Sequence, residues 1–206
     1  MITAQDKILH VASKLGLTSL KDMQASTGAV YDVDTELSGT IFSQAARHAN
    51  PAATNINENQ FEVNEALLIE TISFFVYNET APANVSIENF QQVYGSNAVI
   101  MFDLVIGNKR VMKDTPVFGA GSPFAFANAA VTRQPLAPEG EITVVAPRHQ
   151  IFMEGAGILI PPQVQWYVSY TIYNVVTGAI IAPTDTTVLG CYLFGTRVLL
   201  NFNTSI

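Results

Sequence analysis

Residues 65–77 read EALLIETISFFVY, a run dense in β-branched and aromatic residues with no Gly or Pro inside it. Such a stretch fits the pleated, half-buried surface of a strand, and it sets the reading of everything after residue 60. Downstream, 98–106 (AVIMFDLVI) is a second strand. Gly107-Asn108 then turns the chain into Lys109–Met112, a predicted hairpin. Short strands are expected over 141–146 and 149–154, split by Pro147. Residues 163–173 alternate: Val164, Trp166, Val168, Tyr170 and Ile172 share one face, and Gln163, Gln165, Ser169 and Thr171 the other. The last run, 188–202, is apolar on both faces and should be covered on both.

Roughly seven or eight strands with no helices between them, joined by Gly- and Pro-rich turns, give an all-β chain of the sandwich or jelly-roll type. The connection before Glu141 carries Phe118, Phe124 and Phe126 among small residues and is expected to fold back on the sandwich or to meet a neighbour.

Upstream of Phe61 the chain differs in kind. Residues 3–15 form the one expected helix. Thr3 can cap it, Asp6 lies three positions on, and Ile8, Val11, Ala12 and Leu15 recur at helical spacing before Gly16. A second short turn is expected over 17–23. Residues 24–60 are rich in Gln, Ser, Thr, Asn, Gly, Ala and Pro, with scattered Tyr31, Val33, Leu37, Ile41 and Phe42. This composition fills no core of its own, so the segment reads as an extended arm that needs a surface to lie on. The expected organisation is therefore a helix and arm over 1–60 and a β-sandwich over 61–206.

Charge is scarce. Asp, Glu, Lys and Arg make up 13% of the 206 residues, against about a quarter in an average globular protein, while 49% are hydrophobic. Charge depletion marks buried self-association surfaces, which suggests a homo-oligomer. The net charge of −7 opposes a nucleic-acid surface spread over the whole molecule. Cys191 is the single cysteine, so no intramolecular disulfide forms. Nothing near Met1 reads as an apolar leader, and the apolar run 188–200 is interrupted by Gly and carries Arg197, so it reads as strand and not as a membrane span.

Signatures of chemistry are sparse. His10, His48 and His149 have no metal-ligand partner at suitable spacing. Gly119-Ala-Gly121 and Gly155-Ala-Gly157 read as turns and not as phosphate loops. No catalytic, cofactor-binding or metal-binding residue is expected, unless Glu70, Asp103, His149 and Glu154 converge from distant strands. Sequons at Asn78, Asn84 and Asn203 read as chance matches. Lys109, Arg110 and Lys113 form the densest positive cluster. It reads either as a contact to nucleic acid or an acidic neighbour, or as an edge hairpin kept soluble by its charges. Cys191 reads as a small core residue.

The order TNINENQFEVNEALLIETISFFV (54–76), GNKRVMKDTPVF (107–118), GAGILIPPQVQWYVSYTI (155–172) and a final apolar strand resembles single jelly-roll structural proteins of virions, especially capsid or capsid-associated proteins of bacteriophages. The likeness lies in layout over about residues 50–202. It implies a shell or vertex subunit, assembled with copies of itself and other virion proteins in the host cytoplasm, its arm threading along neighbours. No site residue is carried over. A competing reading is a carbohydrate-binding, lectin-like module with Trp166, Tyr167 and Tyr170 stacking on sugar, though Trp166 falls on the apolar face of its strand. A cupin-like enzyme would need a His and Glu cluster whose spacing is missing.

Overall fold

In the computed structural model, residues 3–17, 23–34, 37–43, 54–56, 59–77, 94, 97–116, 150–152, 157–183 and 188–200 are described. Among these described residues the elements begin with the helix α1 (Ala4–Leu15). Ten strands follow: β1 (Gln24–Val33), β2 (Thr40–Ile41), β3 (Glu65–Tyr77), β4 (Ala98–Ile106), β5 (Lys109–Pro116), β6 (Gln150–Phe152), β7 (Ile158–Ile160), β8 (Trp166–Asn174), β9 (Ile180–Ile181) and β10 (Val188–Leu199). They form two five-stranded sheets in which every pairing is antiparallel. The chain is an all-β sandwich with an N-terminal helix.

One sheet runs β1-β10-β3-β6, with β7 also against β3. The other runs β2-β8-β4-β5, with β9 also against β8. The pairing is nested. The first strand meets the last (β1 with β10), the second meets β8, the third meets β6 and β7, and β4 meets β5 across the Gly107-Asn108 turn. Successive nested pairs alternate between the two sheets.

The strand segments around 65, 98 and 166 fall where the sequence places them, because each carries enough large apolar side chains to pay for its own burial. Between the sheets lie Leu67, Ile69, Ile72 and Phe74 of β3, Ile100, Phe102 and Leu104 of β4, Trp166, Val168, Tyr170 and Ile172 of β8, and Leu189, Cys191 and Leu193 of β10. The alternation over 163–173 therefore reports the core face correctly. The hairpin strand extends past Met112 to Pro116. The short strands β7 and β9 were not expected. The expected strand over 141–146, the aromatic connection before it, and the Asn78, Asn84 and Asn203 sequons lie outside the described residues.

Segment 24–60 departs from its expected form. Gln24–Val33 is a ten-residue strand paired along its length with β10, and Val30, Val33, Ile41 and Phe42 are buried. The described residues of the segment do lie on a surface, as its composition requires, and that surface is the sandwich of their own chain. Its few apolar residues suffice because β10 and β8 supply the other wall.

α1 is closed at both ends. Thr3 Oγ1 accepts from the Asp6 N–H (3.2 Å), and the Asp6 carboxylate accepts from the Thr3 N–H (2.8 Å). Gly16 adopts φ 69° as the C-terminal cap. The helix covers the outer face of the first sheet, where Val11 packs with Ala66, Leu68, Val198 and Leu200 in a second, smaller core. Thus β3 and β10 are covered on both faces around Ala66–Leu68 and Val198, whereas Phe194 farther along β10 stays exposed on the outer face.

Candidate functional site

Two polar arrangements stand out from the packing. The first is a buried knot where β1 passes into β2. Asp32 and Asp34 are both almost wholly enclosed, at 4% and 1% exposure. Asp34 Oδ1 accepts from the backbone N–H (3.0 Å) and hydroxyl (2.9 Å) of Ser38. Its Oδ2 accepts from the Gly39 N–H (2.7 Å) and the Tyr170 hydroxyl (2.8 Å). Asp32 Oδ2 accepts from the Phe42 N–H (2.7 Å), which holds Phe42 at φ 64°, a backbone region that bulky residues rarely adopt. Buried carboxylates are tolerated when they accept hydrogen bonds, as both oxygens of Asp34 and the Oδ2 of Asp32 do. Burial pushes the Tyr170 phenol up, reinforced by the charge and hydrogen bond of Asp34. Burial, with the nearby charge of Asp32, likewise pushes the Cys191 thiol well up, so it is an inert core thiol. The knot ties the β1–β2 turn to β8 and leaves no reactive group open to solvent.

The second is a cleft of about 230 Å³ at one end of the sandwich, with Val30, Ile56, Phe61 and Leu67 along it and the Glu65–Arg197 ion pair at its side. The Glu65 carboxylate is largely buried and the Arg197 side chain half exposed. Beside it, Asn55 caps part of the outer edge of β1. Its Oδ1 accepts from the Tyr31 N–H (2.8 Å), its Nδ2 donates to the Ala29 carbonyl (2.8 Å), and its own N–H donates to the Tyr31 carbonyl (3.2 Å). One amide side chain thus imitates a stretch of neighbouring strand. The cleft offers hydrogen bonds, the neutralised Glu65–Arg197 pair and the exposed Glu62 carboxylate along its lining.

Of the residues singled out by sequence, Glu70 and Asp103 are described, and they lie in different sheets. Glu70 lies in the first sheet under α1, bonded to Lys7 Nζ (2.7 Å) and Thr196 Oγ1 (2.6 Å). Asp103 lies in the second sheet, where it accepts from the Asp114 N–H (2.7 Å) and pairs with Arg110 (3.2 Å). His149 and Glu154 lie outside the described residues, as does His48, while His10 sits half-buried on α1. Among the described residues no group of three His, Cys, Asp or Glu side chains is placed to hold a metal ion.

Lys109, Arg110 and Lys113 are all exposed on β5, the edge strand of the second sheet. Arg110 is occupied by Asp103, and Lys113 lies 3.8 Å from Asp114, so acidic neighbours offset much of the cluster. Trp166 is wholly enclosed between Phe42 (ring centroids 4.5 Å apart) and Phe61 (5.7 Å) and offers no face to a sugar. Tyr170 is buried against Asp34, and Tyr167 is half-buried.

Sequence reading passed over Asp32, Asp34, Asn55 and the Glu65–Arg197 pair. The one local signal was the run of alternate acids Asp32, Asp34 and Glu36, with no other charge over residues 23–46. The apolar length of 188–200 does lie in a strand, and no described helix is long and apolar enough to cross a membrane. Compared with protein-family models, curated proteins and solved structures, the chain matches none.

Proposed function

We propose that this chain is a jelly-roll structural subunit of a virion, self-assembling as a capsid or capsid-associated protein and without catalytic activity. The observation that carries the reading is the nested strand pairing, first with last and inward to the β4–β5 hairpin, alternating between two sheets. This is the order produced when one long antiparallel hairpin is rolled into a double sheet, as in the jelly rolls of viral capsids. Fold alone hosts many functions, so the assembly half of the reading rests on surface chemistry. The chain is poor in charge, and Val175, Val176 and Ile180 at the β8–β9 tip stand out in solvent. Neighbouring subunits would cover them.

The test is the mass of the purified protein by light scattering across concentration, with electron microscopy of the largest species. Closed rings or shells are expected. A strict monomer at every concentration overturns the reading.

A further inference from the structure

The sandwich has four lateral edges, and among the described residues three are guarded. On the first sheet, the edge beyond β3 is built from the three-residue strands β6 and β7. On the second, the edge beyond β8 is built from the two-residue strands β2 and β9. The edge at β5 carries Lys109, Arg110, Lys113, Asp114 and Pro116. Short strands, charges and proline are the devices that stop strand edges from pairing with other chains.

The fourth edge is β1, and over its first eight residues it carries none of these devices. It is ten residues long, and 24–31 (QASTGAVY) contains no charge and no proline. The Asn55 contacts show that the backbone groups of Ala29 and Tyr31 point away from β10. By the two-residue period of a strand, those of Ala25 and Thr27 do as well. Asn55 closes the edge at Ala29 and Tyr31 but does not reach Ala25 or Thr27, and Gln24, Ser26 and Thr27 are exposed.

We infer that the Gln24–Gly28 edge pairs antiparallel with the same edge of a second copy of this chain, about a two-fold axis at Ser26. In that register Ala25 faces Thr27 of the copy and Thr27 faces its Ala25. All four outward groups on each strand are then used, and Ala29 is left to Asn55. A second copy fits better than a foreign strand for two reasons. Recognition of a foreign peptide by strand addition needs pockets for its alternate side chains, whereas this edge offers only the uncharged Gln24, Ala25, Ser26, Thr27 and Gly28 around the axis. A two-fold contact also sets each residue near its own kind, which a charged strand resists and an uncharged one accepts. The inference deepens the assembly reading and rests on it.

Ser26→Cys tests the geometry directly. Ser26 would face its own copy as a non-hydrogen-bonded pair, with Cα atoms about 4.5 Å apart, within disulfide reach. The only other cysteine, Cys191, is buried. Under oxidised glutathione, Ser26→Cys should give a disulfide-linked dimer at least tenfold faster than Val111→Cys, an exposed control on β5. Thr27→Pro tests the bonding. It removes an outward N–H while leaving the ladder to β10 intact, and it should weaken association at least tenfold with an unchanged circular dichroism spectrum. If the wild-type protein assembles but Ser26→Cys crosslinks no faster than the control, the edge pairing is wrong and the assembly reading stands. A wild-type protein that is monomeric throughout overturns both. Should Thr27→Pro fail to fold, the crosslinking rate decides alone.

Discussion

At Asp34 both carboxylate oxygens are engaged, by Ser38, Gly39 and the Tyr170 hydroxyl. Asp34→Ala would leave the Gly39 N–H and the buried Tyr170 hydroxyl without their acceptor, at about 1–3 kcal/mol for each one left buried, while the exposed Ser38 can turn to water. A loss of at least about 3 kcal/mol in denaturant unfolding is expected, with Asp34→Asn milder. Tyr170 adds a pH dependence. Its phenol is held above the usual tyrosine range, so the unfolded chain ionises first as pH rises. The stability this contributes is whole below about pH 10 and drains away above it. Tyr170→Phe should flatten the fall of stability in that alkaline window. At Trp166 the account is packing: the side chain is fully enclosed, so Trp166→Ala should cost about 3–5 kcal/mol by the same measurement. Its indole N–H is buried without a protein acceptor, so part of its burial is uncompensated.

The docking of α1 turns on Glu70, which joins Lys7 of the helix to Thr196 of β10. Partial burial works against the Glu70 charge, but the hydrogen bonds from Lys7 and Thr196 and the Lys7 charge outweigh it and hold the carboxyl below the usual range. The contact therefore contributes above the ordinary glutamate range and fades as pH falls through the lowered value. The protection factors of the α1 amides, taken relative to the intrinsic exchange rate at each pH, should fall in acid, and Glu70→Gln should remove that fall. Glu70 sits at the bulge between β3 and β10, opposite the step from Phe194 to Gly195. A side chain at Gly195 would run into the Leu68 carbonyl, so Gly195→Ala should cost several kcal/mol or block folding. Gly178→Ala, at φ 69° with open space around it, should cost only about 1–2 kcal/mol.

Across the whole molecule, scarce charge predicts how assembly responds to salt. If subunits meet through uncharged strand edges and apolar tips, screening has little to weaken, and it relieves the mutual repulsion of chains at −7 each. Raising sodium chloride from about 0.05 M to about 1 M, where the Debye length shrinks to about 3 Å, should leave the mass by light scattering unchanged or larger. An electrostatic assembly would instead fall apart.

The sequence alone determined the elements that carry their own driving force. Residues 65–77, 98–106 and 166–174 hold enough large apolar side chains at strand spacing to announce themselves, and Thr3, Asp6 and Gly16 mark both ends of α1 by local hydrogen bonding. Only the tertiary structure decided that 24–33 is a strand. Its burial is supplied by β10, and its two enclosed aspartates are satisfied by Ser38, Gly39, Phe42 and Tyr170. A segment stabilised mainly by what others bring to it looks, by composition, like one that stays unfolded. The same holds for the edge at Ala25 and Thr27. Which backbone groups remain open depends on pairing register between distant strands, and no local pattern of side chains records it.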